Sequence, residues 1–444
     1  MYAIVIHPAL RGGESLRLPE ARLEEAVGLA AAIDLTVVEA DVVQIGQPRP
    51  ATLLGAGKVE EIGRKLDSVE PRPGLVIVDG ALSPVQHRNL EKAWNAKVLD
   101  RTALILEIFG ERAQTAEGSL QVELAHLDYQ RSRLVRSWTH LERQRGGAGF
   151  LGGPGERQIE SDRRALDDKI VRLKKKLEDV KRTRTLQRAK RKKAPHPVIA
   201  LVGYTNAGKS TLFNQMTKSK VMAEDLLFAT LDPTMRAIDL PSGVRAILSD
   251  TVGFISDLPT ELVAAFRATL EEVLEADVIV HVRDISHPDT DAQRNDVITV
   301  LRALGIEEDD ERPIIEALNK IDLLSAEDRS DIEAIARARR SGPDEHPSRR
   351  VAISAHTGEN VGDLMDAIED ALTAAHETHA FILPAPFGAA RAWLHSRAEI
   401  IDEQQAELDL LLTARLSLKT QGQFFKNFPA ARLAPEERAA YKSA

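Results

Sequence analysis

Cysteine is missing altogether from the 444 residues, which removes disulfide scaffolds, thiolate metal sites and cysteine nucleophiles from consideration. No apolar run approaches the ~20 residues needed to span a bilayer. The opening stretch, Met1-Tyr2-Ala3-Ile4-Val5-Ile6-His7, is too short and lacks the basic flank of a signal peptide. The expectation is a cytoplasmic monomer with at most peripheral membrane association. What is present reads as globular, with 43% hydrophobic and 29% charged residues. The length allows about three domains, each with its own core.

A net charge of −9 argues against a nucleic-acid partner, but its distribution argues the other way. Between Val171 and Lys193 twelve Lys or Arg meet only Glu178 and Asp179, so a window of about +10 sits in a remainder of about −19. Such asymmetry suggests a basic arm on acidic domains, able to touch a phosphate backbone or simply to be solvated.

The stretch richest in chemistry is Gly203-Tyr204-Thr205-Asn206-Ala207-Gly208-Lys209-Ser210. It follows the apolar run Val198 to Val202 and precedes a helix-like segment, Thr211 to Met216, the setting a phosphate-binding P-loop requires. Backbone N–H groups and a helix N-terminus favour phosphate there. Lys209 can reach the β/γ-phosphates and Ser210 can hold Mg2+.

Four further signals follow in order, three of them at strand ends. Phe228-Ala229-Thr230-Leu231-Asp232-Pro233-Thr234 is a loop before the strand Arg236 to Leu240. Strands at Arg245–Leu248, Pro313–Leu318 and Val351–Ile353 end in Asp250-Thr251-Val252-Gly253, Asn319-Lys320-Ile321-Asp322 and Ser354-Ala355-His356. Asp250 can orient the Mg2+ water shell, and the Gly253 N–H can sense a γ-phosphate. A threonine of the preceding loop, Thr230 or Thr234, can complete the metal's coordination. Asp322 accepts two hydrogens that guanine supplies and adenine does not. Asn319 ties the base loop to the P-loop, Lys320 can lie along the ring, and the Ala355 N–H can bond guanine O6. Phe254 stands where a water-orienting glutamine is usual, so intrinsic hydrolysis should be slow. His281 and His287 read as satisfied structural histidines.

The first ~115 residues alternate strand and helix signals: strands at Tyr2–Ile6, Thr36–Val43, Leu75–Asp79 and Lys97–Asp100, helices at Glu20–Ile33, Val59–Leu66, from Ser83-Pro84, and Thr102–Phe109. This order implies a mostly parallel, covered sheet. Gly55-Ala56-Gly57-Lys58 reads first as a helix-opening turn, with an anion site as the alternative. Leu120, Leu124, Leu127, Leu134, Trp138 and Leu141 keep a 4-3 spacing, as do Ile159, Leu166, Ile170, Leu173, Leu177 and Val180, with Arg131 and Arg163 interrupting. These stripes predict an antiparallel coiled-coil hairpin rather than two bundle helices. Its tip places six glycines within residues 146–155 around Phe150 and Leu151. That is either a hinge or a loop that meets another surface closely, with RNA a target suited to Arg145, Gly147, Gly149, Phe150, Gly152 and Arg157. From Phe381 a helix at Ala389–Arg397 and a strand over Leu408–Leu416 suggest a small appendage, with Phe424, Phe425 and Phe428 as core.

These motifs resemble the translation-factor-related GTPases, and the chain from 1 to 375 resembles the HflX family of ribosome-associated GTPases. The carriers are Gly203 to Thr211, Phe228 to Thr234, Asp250 to Phe254, Leu54 to Lys58, and the glycine tip running into Gly155-Glu-Arg-Gln-Ile-Glu-Ser-Asp-Arg-Arg164. The resemblance implies that Thr230 rather than Thr234 ligates Mg2+, that the partner is the large ribosomal subunit and its rRNA, and that the activity splits or rescues stalled ribosomes. The expected fold is α/β: an N-terminal α/β domain (1–115), a helical hairpin (116–194), a P-loop GTPase domain (195–376) and a C-terminal α+β domain (377–444). Two rival readings stay open: a GTP-regulated switch for a protein or membrane partner, and an RNA-remodelling NTPase using ATP as a second nucleotide at the N-terminal domain.

Overall fold

The computed structural model describes residues 1–12, 17–113, 115–144, 154–191, 196–218, 234–256, 272–306, 312–337, 349–374, 376–406 and 409–434. The first sheet is wholly parallel, in the order β2-β1-β3-β4, with β1 at Tyr2–Leu10, β2 at Thr36–Ile45, β3 at Leu75–Val78 and β4 at Lys97–Asp100. Four helices cover it: α1 (Pro19–Ala31), α2 (Ala56–Ser68), α3 (Pro84–Trp94) and α4 (Arg101–Arg112). β3 shows why its sequence is apolar throughout. Leu75 and Ile77 pack towards α1 and α4, and Val76 and Val78 towards α2 and α3, as a doubly covered strand demands. Ser83 and Gln86 form a capping box at the start of α3, satisfying two backbone donors.

Two long helices follow, α5 (Ala116–Gln144) and α6 (Pro154–Arg191). Leu127, Ile170 and Leu173 are buried between them, with Leu120, Leu124 and Leu166 packed around. The arginines that break the apolar stripe share one acid: Asp167 takes Arg131 at 3.4 Å and Arg163 at 3.8 Å. Near its start α5 also has a second partner, because Val122 and Ala125 join the core that α4 lines. The hairpin base is thus packed like a bundle, which qualifies the expectation of a protruding coiled coil. Asp100, the N-cap of α4, fixes that base by accepting from Tyr129 Oη and Arg133 Nη2, both at 2.8 Å. The tip residues Arg145, Gly147, Gly149, Phe150 and Gly152 lie outside the described residues, as do the side chains of Leu134, Trp138, Leu141, Arg157 and Ile159.

The second sheet has six strands in the order β10-β9-β8-β5-β7-β6. β5 (Val198–Gly203), β7 (Arg245–Asp250), β8 (Val278–Asp284), β9 (Ile314–Asn319) and β10 (Arg350–Ala352) are parallel, and β6 (Thr234–Asp239) closes one edge antiparallel. Among the described residues its helices are α7 (Lys209–Thr217), α8 (Thr290–Ala303), α9 (Ala326–Arg337) and α10 (Val361–Ala374). The first and second sheets share one core: Leu104, Ile105 and Phe109 belong to the same cluster as Val202, Tyr204, Phe254 and Ile255.

The third sheet is antiparallel, β12-β13-β11-β14, from β11 (His376–Pro384), β12 (Glu399–Ala406), β13 (Asp409–Ser417) and β14 (Arg432–Leu433), with helices α11 (Gly388–His395) and α12 (Leu418–Asn427). Phe381 and Phe424 meet edge-on at 5.1 Å in its core, and Phe425 and Phe428 pack beside them. Among the described residues no helix is long and apolar enough to cross a membrane.

Candidate nucleotide site

β5 delivers the glycine-rich loop to the start of α7. Gly208 occupies the left-handed region at φ +93, and a Cβ there would lie 2.2 Å from Asn319 Nδ2, so only glycine fits. Lys209 folds back inside the loop and donates from Nζ to the Tyr204 carbonyl at 2.7 Å. Burial pushes its pKa down to about 8, against the pull of Asp250. Ser210 Oγ donates to Asp250 Oδ2 at 2.8 Å, so the two sequence candidates nearest a metal stand side by side.

The Asp250–Gly253 segment returns over the loop. The Thr205 N–H donates to the Phe254 carbonyl at 2.7 Å and the Phe254 N–H donates to the Gly203 carbonyl at 3.0 Å, a short parallel bridge. Gly253 is pressed close: a Cβ would sit 2.9 Å from Thr205 Cγ2 and 3.0 Å from Lys209 Nζ. Thr251 donates to the Leu201 carbonyl at 2.6 Å, and Val252 packs in the shared core. The Phe254 ring is buried in that core, away from any role in holding water.

At the other end of the site Asn319 joins three loops. Its Nδ2 donates to the Ala207 carbonyl at 2.7 Å, the tie expected from sequence, and its Oδ1 accepts the Ala355 N–H at 2.8 Å. The second bond sets the Ala355 N–H, expected at guanine O6, beside the Asn319 amide. Lys320 pairs with Asp284 at 2.7 Å, Ile321 is buried beneath, and Asp322 is exposed at the rim with His356, while Ser354 is buried and caps the following turn through the Thr357 N–H. Asn206 is exposed at the loop's crest. Phe228, Ala229, Thr230, Leu231 and Asp232 lie outside the described residues, whereas Thr234 pairs with Asp250 in the sheet ladder.

His281 is fully buried beside Glu316, and burial drives its pKa down to about 3. His287 accepts the Asp289 N–H at 3.0 Å. His287 is satisfied as expected, whereas the buried His281 Nδ1 has no hydrogen-bond partner among the described residues, which departs from the expectation of a satisfied histidine. Gly55 caps α2 with ordinary φ −68, and Lys58 pairs with Glu61 at 2.7 Å on an exposed turn. That geometry is the helix-opening turn.

One cluster escaped the sequence reading altogether. The Tyr204 hydroxyl donates to Glu25 and accepts from Arg17 Nη1 at 2.9 Å and from the Ser256 N–H at 2.7 Å. Arg101 donates to Asp79 at 2.5 Å, to Glu25 at 2.7 Å and to Ser256 Oγ at 2.7 Å. Burial works against its charge, but Glu25 and Asp79 together hold the guanidinium protonated. These residues come from distant places in the chain, and no local motif announces their meeting.

Three family descriptions match the chain: "GTP-binding GTPase N-terminal" over residues 20–110, "GTP-binding GTPase Middle Region" over 112–191, and "50S ribosome-binding GTPase" over 198–320. GTPase HflX of Magnetococcus marinus is 50% identical over 386 residues, covering 87% of this chain and 85% of its own. GTPase HflX of Escherichia coli K12 is 42% identical over 385 residues, covering 86% and 87%. A solved GTP-binding protein from the hyperthermophilic archaeon Sulfolobus solfataricus in complex with GDP covers 84% of this chain and 99% of its own, with 24% identity and a TM-score of 0.45. With its P-loop GTPase fold and relatives of this extent, the chain belongs to the HflX family of GTPases and is a GTP hydrolase.

Proposed function

We propose that this chain binds the large ribosomal subunit in a GTP-dependent manner and uses hydrolysis to end that engagement, splitting or rescuing stalled ribosomes in the cytoplasm. The observation that carries the reading is the pairing of a GTPase site with a long hairpin whose α6 exposes Arg172, Lys174, Lys175 and Lys176 together. Four cations in five positions suit an RNA phosphate backbone. The match of residues 198–320 to a 50S ribosome-binding description supports the same partner.

In this reading the loop Gly203–Ser210 wraps the phosphates, and Asp322 selects guanine. The adjoining oxygens of Ser210 and Asp250 fit a hard cation that takes few protein ligands and completes its shell with water and substrate phosphate. Ser210 with Thr230 would hold Mg2+, which neutralises charge developing on the phosphates. Lys209 and the Gly253 N–H address the γ-phosphate. With Phe254 buried, no side chain at that position orients water, so unstimulated turnover is slow and the ribosome supplies or positions the missing group.

Cosedimentation with 50S particles in a GTP analogue and in GDP tests the reading. Binding selective for the analogue, lost on deleting residues 146–155, supports it. Binding to vesicles instead, or ATP turnover that survives Lys209→Ala, refutes it in favour of a membrane switch or an RNA-remodelling NTPase.

A further inference from the structure

Asp284 ends β8 beside the base loop and lies outside every motif read from the sequence. Its two carboxylate oxygens have separate tasks. Oδ1 accepts the Ser286 N–H at 3.0 Å and the Ser286 hydroxyl at 2.6 Å, which fixes the direction of the carboxylate. Oδ2 takes the Lys320 ammonium at 2.7 Å, and only 12% of the Asp284 side chain is exposed, so the pair is little screened by salt. The two strand ends are also tied through their backbones. Asp284 lies opposite Asn319 in the ladder, and the Ile285 N–H donates to the Asn319 carbonyl at 3.1 Å. Lys320 itself sits in the left-handed region at φ +70, which a lysine keeps only where its surroundings hold it.

We infer that Asp284 is a positioning residue for guanine-nucleotide binding: by anchoring the Lys320 ammonium, it lays out the lysine stem as a preformed floor for the nucleoside. The inference rests on the reading of Asn319–Asp322 as the guanine site and is independent of ribosome binding. The sheet order gives the direction of the stem. Lys320 leaves the end of β9, and its ammonium is held at the end of β8, the neighbour of β5, which carries the phosphate loop. Adjacent strands lie about 4.8 Å apart, a gap that a lysine's four carbons bridge. The stem therefore runs from the base loop towards the phosphate loop, along the path a nucleoside takes between Asp322 and Gly203–Ser210. Without Asp284, a binding nucleotide has to order that flexible side chain itself; with it, the ordering is complete beforehand. Base and ribose are common to GTP and GDP. Asp284 thus acts on the binding of both, and not on the chemistry at the γ-phosphate.

The test is a double-mutant cycle in the full chain, from Asp284→Asn, Lys320→Met and the two combined. It reads affinity for GDP and for a non-hydrolysable GTP analogue, with kcat and KM for unstimulated GTP hydrolysis. Asp284→Asn removes the charge and keeps an oxygen for Ser286, while Lys320→Met keeps an apolar stem and removes the ammonium. Asp284→Asn is expected to weaken both nucleotides by the same factor, about three- to tenfold, and to raise KM by that factor while kcat holds. Lys320→Met is expected to do the same, and the combined variant to bind no worse than either single one. Should Lys320→Met strand Asp284 and fold poorly, the comparison of Asp284→Asn with the combined variant, which strands no charge, decides alone. A merely structural Asp284 gives losses that multiply in the combined variant, and that result overturns the inference. So does a loss confined to the GTP analogue, a fall in kcat at constant KM, or an affinity that Asp284→Asn leaves unchanged. Affinity indifferent to Lys320→Met refutes the base-site reading together with the inference.

Discussion

Asn319 and Ala207, 112 positions apart, are joined by a hydrogen bond in which the Asn319 amide donates to the Ala207 carbonyl at 2.7 Å. The Ala355 N–H completes the junction on the opposite oxygen. Whatever grips the phosphates is therefore rigidly referenced to whatever grips the base.

Asn319→Ala cuts both bonds and leaves a buried carbonyl and a buried N–H without their partner. At about 1–3 kcal/mol for each stranded group, affinity for GTP and GDP should fall together by roughly tenfold or more, with a lower Tm. Equilibrium titration with both nucleotides checks this. A loss confined to GTP would assign Asn319 to the γ-phosphate instead.

Lys209 gives the phosphate site a pH signature. Its pKa is held down to about 8 by burial, whereas an unfolded lysine keeps about 10.4. The folded chain therefore sheds this proton first as pH rises, and between about 8 and 10.4 the unfolded chain binds more protons. The group's contribution to stability is least favourable below pH 8 and improves through that window. Phosphate binding requires the charged form, so nucleotide affinity should fall as pH climbs past 8, with proton uptake on binding. Calorimetry in buffers of different ionisation enthalpy measures that uptake, and its absence at pH 9 would contradict the assignment.

Phe254→Gln does not restore a water-orienting residue. The ring points into the core shared by the first two sheets, so an amide there loses apolar packing and finds no water to align. Hydrolysis should show none of the 10^2-fold gain that a positioned acid–base group supplies, while Tm falls. Single-turnover hydrolysis and a thermal melt separate the two effects.

Glu316 anchors the acid limb of stability. Burial alone would raise its pKa, but Arg294 at 2.6 Å and Arg283 at 3.5 Å bring it down to about 2, and Arg350 pairs with it at 2.8 Å. Asp79, also buried, is brought down to about 2 by His7, Arg101 and Arg22. Both carboxylates are depressed in the fold, so the stability they contribute is complete above about pH 4.5 and drains away as pH falls towards 2. Glu316→Gln should lower Tm at pH 7 and flatten its decline below pH 4.5, which melts across that range would show.

Motifs whose meaning is local could be read from the chain alone. The P-loop, the Asp250–Gly253 turn and Asn319–Asp322 each sit at a strand end and carry their chemistry within a few residues. β8 was missed because His281 and Arg283 interrupt its apolar run, and only the structure shows Glu316 lying against both. α9 was missed because none of its residues is buried, leaving no stripe to detect. The Glu25–Tyr204–Ser256–Arg101 cluster was invisible for a stronger reason: its members are polar, scattered and meaningful only once two sheets share a core. The bond of the Ala355 N–H to Asn319, 36 residues away, could likewise be seen only in the fold.

Asp100 and Arg101 are neighbours in sequence with separate clients. Asp100 holds Tyr129 and Arg133 of the hairpin, and Arg101 holds Ser256 above the phosphate loop. One peptide bond thus joins the pivot of the hairpin base to the anchor of Ser256. Beyond Tyr129, α5 runs on for fifteen residues, about 22 Å at 1.5 Å per residue. A swing of some 10° at that pivot moves the far end by about 4 Å. Any shift of the start of α4 is therefore shared by Ser256 and by the hairpin base, and the length of α5 enlarges it at the far end.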